Sequence, residues 1–124
     1  MATTTETYRG NCHCGQVRFS FVYAPLESTQ IMWCNCSICT KNGYLLVYPK
    51  ATDVQFTSGQ DAMREYRFGN RMKPRKFCGN CSTSILIDFA QSSFEKEREY
   101  LAINVRFTQI TTCYYLYARG LTLL

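Results

Sequence analysis

Seven of the eight cysteines in this chain fall into three tight groups, Cys12-x-Cys14, Cys34-x-Cys36-x-x-Cys39 and Cys78-x-x-Cys81. Shared metal ligation would force distant segments together, which restricts the fold more than any other feature here. Residues i and i+2 of a strand point to one face, so Cys12 and Cys14 can offer two thiolates to one ion if their stretch is extended. A Cys-x-x-Cys turn does the same from a tight loop, and Gly79 and Asn80 suit such a turn because both tolerate unusual backbone angles. Zinc takes four sulfurs in a tetrahedron at ~2.3 Å each. Pairing the first group with the last gives a closed four-cysteine site that ties the two halves of the chain together.

The middle group supplies three thiolates with no fourth partner adjacent. A closed structural site needs four ligands, whereas three plus an open position is the catalytic pattern. Two alternatives stay open: Cys113 or a distant residue completes a second closed site, or Cys36 and Cys39 form a redox pair. His13, the single histidine, lies between two candidate ligands and on a strand would point away from them, so it is read as a bystander. No Ser-His-Asp or Cys-His arrangement can be assembled around it. Gly10, Gly15 and Gly43 are isolated and form no phosphate loop.

With 124 residues the chain fits one domain. So small a domain buries only about two-thirds of its unfolded surface, so a metal clamp would help it. The opening MATTTETYRG lacks an apolar signal core, and no apolar run approaches the ~18 residues of a membrane span. We therefore expect a cytoplasmic protein, with the nucleus also open, whose cysteines bind metal in a reducing compartment instead of forming disulfides. Fourteen basic residues against nine acidic give a net charge of +5. The basic residues are spread out except over 64–76, and such a stretch is more often a solvated face than a nucleic-acid site. Neither membrane nor nucleic acid is expected as a partner.

Aromatics make up 15% of the chain, with nine Tyr and eight Phe, which leans towards β structure. Val17, Phe19, Phe21 and Tyr23 alternate with Arg18 and Ser20 as in a half-buried strand. Residues 44–48 form a short apolar run closed by Pro49. Val54 and Phe56 begin another alternating piece, residues 63–68 a further one with a turn at Gly69-Asn70, and Ile85, Ile87 and Phe89 alternate in turn. Leu101, Ile103, Val105 and Phe107 complete the set. No window supports a helix beyond two or three turns, and residues 91–99 read as a loop or one short helix. Many short strands indicate a mainly β domain.

The stretches GNCHCGQVRFSF, CNCSICTKNGYLLVYP and KFCGNCSTSI followed by LAINVR resemble the glutathione-dependent formaldehyde-activating enzyme family, which includes a eukaryotic centromere-protein branch. The resemblance runs from Tyr8 to Arg106. It implies a small antiparallel, zinc-bound, β-tent-like domain over residues 8–107, after a flexible start at 1–7 and before an atypical tail at 108–124. It also implies a structural zinc on Cys12, Cys14, Cys78 and Cys81, and a labile catalytic zinc on Cys34, Cys36 and Cys39. The implied chemistry is formation or breakage of a carbon–sulfur bond between glutathione and a small carbonyl compound. Glutathione carries two carboxylates, and Lys41, Arg75 and Lys76 are candidate contacts by proximity to the cysteine groups. Rival readings are a non-catalytic zinc scaffold for a protein or nucleic-acid partner, and a thiol redox or metal-buffering protein. Ser82 departs from the family, which usually has Gly after the last cysteine pair. The tail, with three Tyr, several Leu and Cys113, departs further. We expect it to cover a sheet as a strand near 113–117, or to be buried in a homodimer, with Cys113 a buried free thiol.

Overall fold

The computed structural model describes residues 5–107; the expected tail strand and Cys113 lie outside the described residues. Two antiparallel sheets make up the domain. The smaller contains β1 (Glu6–Asn11), β2 (Arg18–Tyr23) and β4 (Val54–Ser58), in the order β1-β2-β4. The larger contains β3 (Leu46–Val47), β5 (Met63–Tyr66), β6 (Arg75–Cys78), β7 (Ser84–Asp88) and β8 (Leu101–Asn104), in the order β3-β8-β7-β6-β5. The one α-helix among the described residues, α1 (Ser37–Asn42), is short, and the 91–99 segment holds a single 3-10 turn at Glu95–Glu97. The described fold is mainly β and antiparallel, as expected. No helix among the described residues is long and apolar enough to cross a membrane.

The alternation read in β2 buries Phe19 and Phe21, which join Tyr8, Leu26, Val47, Leu86 and Ile103 in the main core. Each such large side chain contributes about 1.5–3 kcal/mol by leaving water. Strands β3, β8 and β7 of the larger sheet are buried on both faces. Val47, Leu86 and Ile103 belong to the main core, while their chain neighbours Leu46, Ile87 and Ala102 belong to a second cluster that also contains Cys39 and Tyr44. A strand covered on both faces reads as a continuous apolar run, which is why 44–48 shows no alternation.

Two strands lack a clear pattern in sequence. In β1, Tyr8 is one of only two inward residues, and the other is Gly10. A Cβ at Gly10 would meet the ring of its cross-strand partner Phe19 at 2.5 Å, so the strand gives up an apolar side chain to admit that ring. In β6 half of the sequence Arg75-Lys76-Phe77-Cys78 is charged, yet it pairs with β5 on one side and β7 on the other.

Gly59 ends β4 with φ +75, and a Cβ there would lie 2.2 Å from the carbonyl oxygen of Gln16. Neither partner is a flexible side chain. Gly59→Ala should therefore destabilise the protein by at least about 2 kcal/mol, combining left-handed strain with a backbone clash. Urea denaturation of the zinc-loaded protein measures this, and an unchanged midpoint would contradict the turn geometry.

Candidate functional site

The first and last cysteine groups meet. Cys12, Cys14, Cys78 and Cys81 bring their sulfurs within 4.8 Å of one another. The separation is 3.5 Å between the sulfurs of Cys12 and Cys14, and 3.7 Å between those of Cys14 and Cys78. Four sulfurs around zinc sit about 3.8 Å apart, the tetrahedron edge for a ~2.3 Å bond, so this donor set fits the ion. The route differs from the one expected. β1 stops at Asn11, and Cys12 and Cys14 converge from a turn closed by the Gly15 N–H on the Cys12 carbonyl (3.1 Å), not from one face of a strand. Gly15 takes φ +80 to make that turn.

Backbone amides support the sulfurs. Val17 N–H donates to Cys12 Sγ (3.2 Å), and Asn80 and Cys81 N–H to Cys78 Sγ (3.4 and 3.5 Å). Such bonds stabilise thiolate over thiol. Thr83, which sequence reasoning passed over, joins the two turns: its hydroxyl accepts the His13 N–H (3.1 Å) and lies 3.1 Å from Cys81 Sγ. His13 itself is exposed and belongs to neither cysteine group. Burial pushes the Cys12 thiol up to about 11. At Cys81 desolvation also pushes upward, but hydrogen bonds from Thr83 and its neighbours prevail and bring the thiol down to about 5.

Ser82 explains why glycine suits the position after Cys81. It sits at φ +64, and its N–H closes the turn on the Cys78 carbonyl (2.9 Å). A non-glycine residue there costs about 1–2 kcal/mol, partly offset by the greater freedom glycine has when unfolded. Ser82→Gly should stabilise the protein by about 0.5 kcal/mol and raise its melting temperature by a few degrees. A lowered melting temperature would mean that the Ser82 hydroxyl, which donates to the Cys81 carbonyl (2.6 Å), outweighs the strain.

Cys34, Cys36 and Cys39 form the second group, again with all sulfurs within 4.8 Å. Cys36 is the N-cap of α1 and Cys39 lies in its first turns, so the short helix folds the group together. Gly43, read from sequence as an isolated glycine, ends that helix at φ +64, with its carbonyl accepting from Arg106 Nε. Burial grades across the group: Cys39 is buried, Cys34 half-buried and Cys36 exposed. Burial pushes Cys39 up to about 12, whereas the backbone N–H of Cys39 holds Cys36 below the usual thiol range. Three donors with one side open to solvent suit a metal ion with a free coordination position.

That open side faces a cleft of about 550 Å³, a size that takes a small-molecule ligand. Its lining includes Tyr48 and Phe89, stacked at 6.4 Å between ring centres. It also includes Lys73, Arg75, Lys96 and Glu97, with Lys73 Nζ 5.4 Å from the Phe89 ring centre. Of the three cations proposed from sequence, only Arg75 lines this cleft. Lys41 is exposed on α1, and Lys76 pairs with Asp88 at 3.4 Å beside a smaller hollow next door. Arg75 Nη1 donates to the Lys73 carbonyl (2.7 Å), its guanidinium lies 4.7 Å from the Phe68 ring centre, and its Nε is buried with no hydrogen-bond partner among the described residues. Lys73 and Lys96 lie farther along the chain from any cysteine, so sequence proximity could not find them.

Comparison with known proteins accords with this geometry. A family model described as glutathione-dependent formaldehyde-activating enzyme matches residues 7–109. Among solved structures, a Rhodobacter sphaeroides protein superimposes with a TM-score of 0.70 at 22% identity, over 82% of this chain and 88% of that one. At that identity the likeness concerns the fold alone.

Proposed function

Since this chain belongs to the glutathione-dependent formaldehyde-activating enzyme family, we propose that it is a zinc-dependent carbon–sulfur lyase acting on glutathione adducts of a small carbonyl compound. The observation that supports this most is the opening of a three-cysteine group onto a cleft lined by three cations. In this reading Cys12, Cys14, Cys78 and Cys81 hold a structural zinc, and Cys34, Cys36 and Cys39 a labile one. Bound there, zinc supplies Lewis acidity towards a carbonyl oxygen or stabilises a thiolate.

The remaining work falls to the chain. Glutathione and its adducts are anions with two carboxylates, and Lys73, Arg75 and Lys96 supply the matching charge. Tyr48 and Phe89 keep water from one side of the reacting carbon. Burial raises the Tyr48 phenol above its ordinary range, so it keeps its proton at neutral pH and can donate a hydrogen bond to an adduct oxygen. In the cleavage direction the carbon–sulfur bond breaks with its electron pair going to sulfur, while the adduct hydroxyl becomes the carbonyl and its proton passes to water or to the departing thiolate. The synthetic direction is the reverse.

Exchange NMR of glutathione with formaldehyde and several larger aldehydes tests the proposal. We expect the zinc-loaded protein to speed adduct formation and cleavage beyond the spontaneous exchange. Rates equal to the spontaneous ones for every carbonyl would favour a non-catalytic zinc scaffold.

A further inference from the structure

The cleft that faces Cys34, Cys36 and Cys39 contains one carboxylate among its three cations, and that carboxylate is built in place. Glu97 Oε2 accepts the Ser92 hydroxyl (2.7 Å) and lies 3.2 Å from Lys73 Nζ. Ser92 is itself buried, and its hydroxyl also accepts the Phe94 N–H (3.1 Å), so it cannot swing away without leaving that amide unpaired. Lys73 is held on its other side by the rings of Phe89 and Phe94, at 5.4 and 5.7 Å. The second oxygen, Oε1, has among the described residues only a long contact to Lys73 (3.4 Å), and the Glu97 side chain keeps 36% of its surface open. A fixed, half-open carboxylate with one under-used oxygen can accept a cationic donor from a ligand.

Resting on the reading of the cleft as a glutathione site, we propose that Glu97 binds the α-ammonium of the γ-glutamyl end and so sets the specificity for glutathione over thiols that lack this group. Lys73 then serves two partners. It keeps Glu97 oriented, and it stands beside the α-carboxylate that accompanies the ammonium on the same carbon. An amino-acid head presents both charges together, and a Lys–Glu pair is the complementary arrangement. The cleft's excess of positive charge accounts for the carboxylates, but it would repel an ammonium unless a carboxylate met it directly. Among the described residues that line the cleft, Glu97 is the one carboxylate. Its carboxyl is held below the usual range by the Ser92 hydroxyl and by Lys73, so it is ionised at neutral pH.

The test compares two ligands on two proteins, both zinc-loaded and full-length. One ligand is glutathione and the other is glutaryl-cysteinylglycine, which is glutathione with its amine replaced by hydrogen. Wild type should bind glutathione about tenfold more tightly in NMR titrations, the scale of one charge-assisted contact. In Glu97→Gln, which keeps the shape and an acceptor for Ser92, the gap should shrink below about twofold. The amine-free ligand should bind Glu97→Gln at least as tightly as wild type, since its carboxylate loses a neighbouring like charge, and this binding shows that the variant is folded. A gap that persists undiminished in Glu97→Gln, or one absent from wild type, overturns the assignment of Glu97 alone. Failure of both ligands to bind wild type overturns the glutathione reading and this inference with it.

Discussion

Cys78→Ser is expected to cost the protein its fold. Cys78 is fully buried and belongs to the main core, together with Cys12. It stands at the end of β6 in the larger sheet, while Cys12 and Cys14 follow β1 in the smaller one, and Cys14 is 64 residues away in sequence. An ion held by the four sulfurs therefore staples the two sheets to each other. Structural zinc contributes about 10–16 kcal/mol on binding, and a domain of this size is stable by only about 5–15 kcal/mol in total. The first figure is as large as the second, so a broken tetrahedron leaves too little to keep the fold. A serine hydroxyl is a poor zinc donor, and it would also leave the amides of Asn80 and Cys81 facing a shorter side chain. Purification under reducing conditions with zinc present should give aggregated protein, or a circular dichroism spectrum without a cooperative melt. Recovery of a cooperatively melting variant with a full zinc complement would exclude a structural role for this site.

Much of this arrangement is legible in sequence, for physical reasons. The strands β2, β4, β7 and β8 show themselves because one or both faces are buried, and side chains there repeat with the strand period. β1 and β6 do not, because Gly10 makes room for Phe19 in one and charged residues occupy the other. The spacing of the cysteines identified both clusters, since metal-ligand geometry is local and demanding. It did not reveal how Cys12 and Cys14 converge, because a turn at Gly15 and an extended strand both bring i and i+2 sulfurs together. The cleft wall was the least accessible feature. Lys73 comes from the loop between β5 and β6, and Lys96 and Glu97 from a 3-10 turn; these meet only after folding, and nothing in their spacing marks them as neighbours of Cys36. Asn104 was also silent. It is a buried amide whose oxygen accepts the Leu45 and Arg106 N–H groups and whose nitrogen donates to the Ser84 carbonyl, so it locks β8 to the segments on either side.

Cys36→Ser should have the opposite effect to Cys78→Ser: activity is lost and the fold stays. Cys36 is exposed at the N-terminus of α1, and neither apolar cluster contains it. Replacing sulfur with oxygen there removes little packing, so the stability change should stay within about 0.5 kcal/mol, as for most surface substitutions. A zinc ion proposed for this group would lose one of three thiolates, and two protein donors would not hold it while keeping a position free for substrate. Native mass spectrometry should show two zinc ions in the wild type and one in the variant. Adduct exchange should slow at least about 100-fold, equivalent to about 2.7 kcal/mol of transition-state stabilisation, or fall to the spontaneous rate. Cys39→Ser is the informative contrast, because Cys39 is buried beside Tyr44 and Ile87 and should lower both activity and melting temperature. The division of roles between the two cysteine groups depends on this difference. If Cys36→Ser and Cys78→Ser damage thermal stability equally, or if Cys36→Ser keeps both zinc ions and full exchange rates, the open group is not the reacting centre.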